Sequence, residues 1–181
     1  HMIFVTTGYA HVFALNAQTG QLIWDATAPG PIRAAPSVGE GKVLAISIDN
    51  RVTAYNADTG ESIWFHAGFA ETAGLLGGAS AAITDRTAVV PYSSGELFSL
   101  RLATGRPNWS DSLVSARRSD ALASLADIRA RPIVDRGIVY AISHGGRMVG
   151  FDLASGSRIW DRRIGGVQTP WIAGEFLYVV T

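Results

Sequence analysis

Few residues in this chain have the type and spacing that catalysis or metal binding requires. The four histidines, at positions 1, 11, 66 and 144, are dispersed, and no His-x-x-x-His spacing occurs. Cysteine is absent, which excludes disulfides and thiolate ligands. Ser80 lacks the second glycine of a nucleophile elbow, and no glycine pair is followed by the Lys-Ser/Thr of a phosphate-binding loop. We therefore expect no enzyme, no metal and no cofactor.

Two pairs of basic residues are the other chemically notable feature. Arg117-Arg118 and Arg162-Arg163 are each interpreted as solvated loop or strand-end residues. Arg117-Arg118 has a second interpretation, because it precedes a possible helix N-terminus, where the helix dipole disfavours positive charge. Two guanidinium groups at that place could serve a partner, or Asp120 and Asp127 could neutralise them.

Composition narrows the class of protein further. The chain has 181 residues, of which 48% are hydrophobic and 17% are charged, with a formal net charge of zero. Nothing in this balance attracts nucleic acid or an anionic membrane surface. No small-molecule substrate is indicated either. The first two residues, His1-Met2, are interpreted as a cloning remnant.

An eleven-residue pattern that occurs four times is the strongest signal. Its form is small-x-Asn/Asp-x-x-Thr/Ser-Gly-x-x-x-Trp, with Arg101 as the exception at the third position. The copies span 14–24, 54–64, 99–109 and 150–160. The repeat-motif residues are Trp24, Trp64, Trp109, Trp160, Gly20, Gly60, Gly105 and Gly156. A repeat of about 40 to 50 residues made of short apolar runs indicates β-propeller blades.

The residue types explain how such a repeat is built. The Asn or Asp can close an Asx-turn, and the glycine supplies a positive φ for a turn with a bulge. The tryptophan then falls on the outer strand, where a large aromatic side chain can seal two neighbouring sheets. We expect strands over 35–38, 42–47, 51–55 and 61–66 in the clearest unit, and over 169–172 and 175–180 in the last one.

The fold class predicted is all-β, a propeller of four-stranded antiparallel blades. Residues 3–181 form one partial propeller, with units of about 3–30, 31–70, 80–115, 130–166 and an incomplete 168–181. This is an arc of about four blades, and closed propellers have about four to eight. Half of an eight-bladed circle could be completed by a second copy of the chain, which is a hypothesis from arithmetic alone. Two insertions, 67–79 and 112–129, exceed the period, and a short helix is predicted after Ser119.

The repeat resembles that of the pyrroloquinoline-quinone-like propellers over almost the whole chain. Within that group, 125–181 is similar to the BamB family, the lipoprotein subunits of the outer-membrane β-barrel assembly machinery. The similar segments are 125–134, 137–141, 151–156 and 159–160. The resemblance implies an eight-bladed parent in the periplasm, anchored to the outer membrane by a lipidated cysteine that this sequence lacks. It also implies a non-catalytic scaffold that binds the POTRA domains of BamA.

In that family two neighbouring loops contact the partner, one with a Leu-x-Leu-Arg-Gly pattern and one with an Asp-x-Asp pattern. The first pattern aligns with 74–78, where Gly77 stands in place of the arginine. The second aligns with 127–129, where Arg129 stands in place of the second aspartate. The contact could be absent or changed in sign, with Arg129 and Arg131 taking an acidic partner. The resemblance thus implies partner-binding residues, which are Leu75, Leu76, Leu125, Asp127 and Arg129.

Two other functions stay open at this point. A fragment of a quinone-dependent dehydrogenase would have the same repeat, although no Glu/Asn/Asp metal-binding set is recognisable. A generic propeller adaptor in signalling or wall metabolism is the third interpretation.

Overall fold

The computed structural model describes residues 1–69, 77–114 and 127–181. These residues form seventeen β-strands in five antiparallel sheets, and no helix occurs among them. The predicted all-β fold of four-stranded antiparallel units is confirmed. The helix predicted after Ser119 falls outside the described residues.

The sheets follow one another along the chain, and each is built from consecutive strands. Sheet I contains β1 (Met2–Thr6), β2 (His11–Asn16) and β3 (Leu22–Thr27). Sheet II contains β4 (Ser37–Gly39), β5 (Lys42–Ser47), β6 (Arg51–Asn56) and β7 (Ser62–Ala67). Sheet III contains β8 (Ala82–Thr84), β9 (Thr87–Pro91), β10 (Glu96–Arg101) and β11 (Pro107–Ser112). Sheet IV contains β12 (Ile133–Asp135), β13 (Ile138–Ser143), β14 (Arg147–Asp152) and β15 (Arg158–Arg162), and sheet V contains β16 (Trp171–Ala173) and β17 (Phe176–Tyr178).

The strand boundaries differ from the predicted ones mainly at the first strand of a sheet. In sheet II that strand begins at Ser37, two residues after the predicted start. In sheet V it begins at Trp171 rather than at 169. Both strands begin directly after a proline, Pro36 or Pro170, which has no N–H to donate to a ladder.

The described residues form a core of four apolar clusters, each of which joins side chains of adjacent sheets. The cluster between sheets II and III is typical. There Leu44 and Val52 pack towards Val90 and Leu100, and all four are at most 1% exposed. The neighbouring first strands also approach closely, since a Cβ on Gly39 would lie 2.6 Å from Ile83 Cγ2. Sheets that pack face to face in succession, with their first strands around a common axis, have the geometry of a propeller.

Because neighbouring strands run antiparallel, successive connections alternate between two opposite ends of the arc. At one end lie the connections from the last strand of a sheet to the first strand of the next, together with the turns between the two middle strands. Main-chain hydrogen bonds join these two kinds of connection, as from Gly68 N to Asn50 O at 2.8 Å. We call this end the loop face. The other end, the turn face, holds the repeat motifs, and there Leu102 N donates to Arg86 O at 2.8 Å.

The first strands of sheets III, IV and V line a cavity of about 400 Å³ beside the propeller axis. Within the described ranges there is no helix of the length and hydrophobicity that crossing a membrane requires.

Candidate functional site: the sealed blades and the loop face

Three of the repeat tryptophans make the same contact with the sheet that follows. Each indole Nε1 donates a hydrogen bond to the main-chain carbonyl of the residue after the Asn/Asp/Arg position of the next motif. These bonds run from Trp24 to Ala57 at 2.9 Å, from Trp64 to Leu102 at 3.0 Å and from Trp109 to Leu153 at 2.8 Å. A buried indole N–H needs a partner, and this contact supplies it while the ring fills the space between sheets.

The repeat glycine has a second role that the sequence pattern did not indicate. A Cβ on Gly60 would lie 2.8 Å from Trp24 Cδ2, and a Cβ on Gly105 would lie 2.5 Å from Trp64 Cε3. These distances are well inside van der Waals contact. Both glycines also have a positive φ, of 77° and 70°. The turn of one blade is therefore the surface on which the indole of the preceding blade rests.

The polar residue of the repeat closes the turn as its side-chain chemistry allows. Asn56 Oδ1 accepts from the main-chain N of Asp58 at 2.8 Å and of Thr59 at 3.1 Å. Arg101 cannot accept such bonds, and its Nε donates instead to Asn108 Oδ1 at 3.1 Å. The ladder shifts register one or two residues before this position in every repeat, which is the bulge that the motif predicts.

Ionic contacts fix the chain where it leaves sheet III. Arg158 of β15 donates two bonds to Asp111 of β11, at 2.8 and 2.6 Å, and one to Ser112 O at 2.8 Å. Burial raises the pKa of Asp111, but hydrogen bonds from Arg158 and Ser112 N, together with the charges of Arg158 and Arg147, hold that pKa below its ordinary value. Arg147 of β14 reaches Val114 O at 3.1 Å. Residues 111–114 are thus held by sheet IV where the chain enters the second insertion.

A polar cluster holds the start of the first insertion in the same way. Asn50 is only 3% exposed, has a φ of 57°, and donates to Phe69 O at 2.8 Å. Its Oδ1 accepts from Ser93 N at 3.0 Å and from Ser93 Oγ at 2.8 Å. Glu96 accepts from Phe69 N at 2.7 Å. Sheets II and III therefore jointly position Phe69, which is itself 75% exposed on the loop face.

The candidate partner-binding residues are only partly covered by the described ranges. Leu75, Leu76 and Leu125 lie outside them. Asp127 is 6% exposed, and its carboxylate forms an ion pair with Arg129 Nε at 3.8 Å.

The two loops that the resemblance names are brought together at their described ends. The Arg129 guanidinium occupies the place where a Cβ on Gly77 would be. The arginine of the second loop therefore lies on the glycine that stands in the arginine position of the first. A sequence pattern alone carried no signal of this contact, because the two residues belong to different blades.

The described part of the chain contains the four histidines and Ser80, which were considered for metal binding and catalysis. No three His, Asp or Glu side chains there are grouped so that they could hold a metal ion. Ser80 Oγ donates to Ala35 O at 2.8 Å, which ties two adjacent connections together. The fold is an arc of a β-propeller of the quinone-protein repeat class. Its sheets follow one another along the chain, its repeat turns are sealed by tryptophan, and its long connections lie on one face.

The chain belongs to the BamB family. The family model described as "Outer membrane protein assembly factor BamB" matches residues 1–181. Proteins of that name from Moranella endobia (strain PCIT) and Yersinia pestis are 27% and 28% identical over 178 residues, or 98% of this chain. Those alignments cover 46% and 45% of the two relatives, so the chain spans slightly less than half of their length.

Solved structures agree with this assignment at the level of fold. The crystal structure of BamB from Moraxella catarrhalis superposes with a TM-score of 0.86 at 24% identity, over 93% of this chain and 51% of that one. A europium-containing methanol dehydrogenase superposes with a TM-score of 0.71 at 13% identity, over 90% of this chain and 40% of the enzyme. The dehydrogenase therefore shares the propeller fold, and its chemistry is not implied for this chain.

Proposed function

We propose that this chain is part of a non-catalytic scaffold for outer membrane protein assembly. The observation that carries the proposal is the match of the BamB family model to residues 1–181. The relatives are named as assembly factors, and this chain spans less than half of each, so the role belongs to a larger protein. We further propose that this protein is periplasmic and anchored to the outer membrane.

The partner in this proposal is a set of BamA-like POTRA domains, which dock on the loop face. The candidate contact residues are Leu75, Leu76, Leu125, Asp127 and Arg129. The meeting of Gly77 with Arg129 supports the placement, because it joins the two loops into one surface. The burial of Asp127 indicates that this carboxylate acts by holding Arg129 and the loop rather than by facing the partner.

The propeller in this proposal is one domain over 3–181 that further blades complete, as in an eight-bladed parent. Both terminal sheets support this view because they have apolar outer faces. In sheet V, Trp171, Phe176 and Tyr178 are 71%, 70% and 57% exposed. In sheet I, Ile3 and Val5 are 50% and 36% exposed. A second copy of this chain could supply the missing blades, and light scattering tests this directly, since a monomeric mass would exclude the homodimer.

Binding of POTRA domains is tested by biolayer interferometry with the immobilised chain. Leu76→Ala and Asp127→Ala are expected to weaken binding about tenfold or more, a loss of about 1.4 kcal/mol each. Leu22→Ala and Asp58→Ala are matched controls, since both side chains are exposed away from the loop face and should have no effect. Circular dichroism confirms that each variant is folded. Equal affinity of all four variants and the unmodified chain would contradict the proposed docking face.

The dehydrogenase alternative is tested separately. The chain is mixed with pyrroloquinoline quinone and calcium, desalted, and its absorbance recorded. We expect no retained chromophore. A stable chromophore at one equivalent per chain would favour the enzyme class over the scaffold.

A further inference from the structure

Two connections on the loop face end in the same tetrapeptide, Arg-Ala-x-Pro. One copy spans 33–36 and leads into β4, and the other spans 129–132 and leads into β12. The alanine of each copy is buried, with Ala34 9% and Ala130 2% exposed. Because each tetrapeptide directly precedes the first strand of a sheet, Arg33 and Arg129 occupy equivalent positions near the axial ends of their connections.

The connection between these two copies contributes glycines instead of side chains. A Cβ on Gly78 would lie 3.5 Å from Ala34 Cβ and 3.8 Å from Arg33 C. A Cβ on Gly77 would collide with the Arg129 guanidinium. The exposed Gly77-Gly78 backbone therefore touches one arginine connection on each side. Glycine here lets the three connections approach one another and leaves the main chain open to a ligand.

Among the described residues around Gly77-Gly78, arginines outnumber acids. Arg33 and Arg131 are exposed, and Arg129 is partly exposed. Asp127 pairs with Arg129 at a distance of 3.8 Å between Oδ2 and Nε, and the Asp127 side chain is only 8% exposed. A short charge-assisted bond would measure about 2.8 Å. Asp49, an exposed acid of the loop face, lies against Gly30 on another connection.

We propose that these residues, the axial patch of Arg33, Arg129 and Arg131 around Gly77-Gly78, bind a carboxylate-rich segment of a partner protein. The planar guanidinium group is suited to bidentate contact with carboxylates. The identity of the partner as a POTRA domain rests on the proposed function, whereas the chemistry of the patch does not. A protein segment is favoured over a lipid surface because membrane-binding clusters have about four to eight basic residues, and the patch has three.

The binding chemistry is tested by fluorescence anisotropy with a labelled peptide of alternating Glu and Ser and with its Gln counterpart. The Glu peptide should bind, the Gln peptide should bind at least about tenfold more weakly, and added salt should reduce the difference. Arg33→Ser and Arg131→Ser should each raise the Kd of the Glu peptide about fivefold. Arg136→Ser is the matched control, because Arg136 is exposed on the turn face.

A further variant tests the geometry without changing any charge. Gly77→Ala places a methyl group where the Arg129 guanidinium lies, so the arginine must move and peptide binding should weaken. Gly41→Ala is the control, since nothing lies within 4 Å of its Cβ position. Unfolding curves for the two variants show whether any loss of binding is a loss of folding.

The outcomes separate the patch from the proposed function. Equal binding of the Glu and Gln peptides, or equal effects of Arg33→Ser, Arg131→Ser and Arg136→Ser, would overturn the patch, even if POTRA domains bind elsewhere. Glu-peptide binding that depends on Arg33 and Arg131, without POTRA binding, would support the patch and contradict the proposed partner. Phosphatidylglycerol vesicles that bind more tightly than the peptide, with the same arginine dependence, would overturn the assignment to a protein segment.

Discussion

Replacing the glycine under a repeat tryptophan tests how the blades are sealed. Gly105→Ala has two costs. A positive φ of 70° costs a non-glycine residue about 1–2 kcal/mol. The new Cβ would also lie 2.5 Å from Trp64 Cε3, and overpacking a well-packed site costs about 1–3 kcal/mol. Gly41→Ala has nearly the same φ, 69°, and an empty Cβ position, so it carries the first cost alone.

The expected difference between the two variants is therefore about 1–3 kcal/mol in the free energy of unfolding. Urea unfolding followed by tryptophan fluorescence and circular dichroism measures it from the two midpoints. In a Trp64→Phe background the smaller ring should reduce the extra cost of Gly105→Ala. Equal destabilisation by Gly41→Ala and Gly105→Ala would refute the view that the turn glycine serves the indole of the preceding blade.

Three further predictions concern single contacts. Trp64→Phe removes the hydrogen bond to Leu102 O and should destabilise by about 1–3 kcal/mol in urea unfolding, because the carbonyl is left without its partner. The Arg147 guanidinium holds the pKa of Asp161 below its ordinary value, so this contact stabilises above a pH of about 4 and is lost as the pH falls through the folded-state pKa. The melting temperature of Asp161→Asn should be below that of the unmodified chain at pH 6, with the gap closing towards pH 3. Burial lowers the pKa of His66 despite the nearby Glu96 charge, so stability should decline as the pH falls below about 6.5, and His66→Gln should lack that decline.

The order of strands was predictable from the sequence because each repeat contains its own turn chemistry. Asn56 and Gly60 specify one turn through local side-chain and φ preferences, so no knowledge of neighbouring blades is needed. Period-2 apolar runs between such turns then indicate the strands. The first strands began later than predicted where Pro36 and Pro170 interrupt the ladder, a local effect that the residue types do contain.

Contacts between blades were not predictable from local pattern. The indole of Trp24 rests on Gly60, and the guanidinium of Arg129 rests on Gly77, across separations of 36 and 52 residues. Such pairs depend on how one sheet is rotated against the next. The burial of Asp127 was not predictable either, because a carboxylate near the end of an insertion suggests an exposed loop.

The loop face as a docking surface is tested most directly by photo-crosslinking. A benzoyl-phenylalanine replaces Arg131 on the loop face or Arg136 on the turn face, both of which are exposed. Each variant is irradiated with POTRA domains. We predict a crosslinked product from position 131 and none from position 136. Crosslinking from position 136 alone, or equally from both, would contradict the docking face.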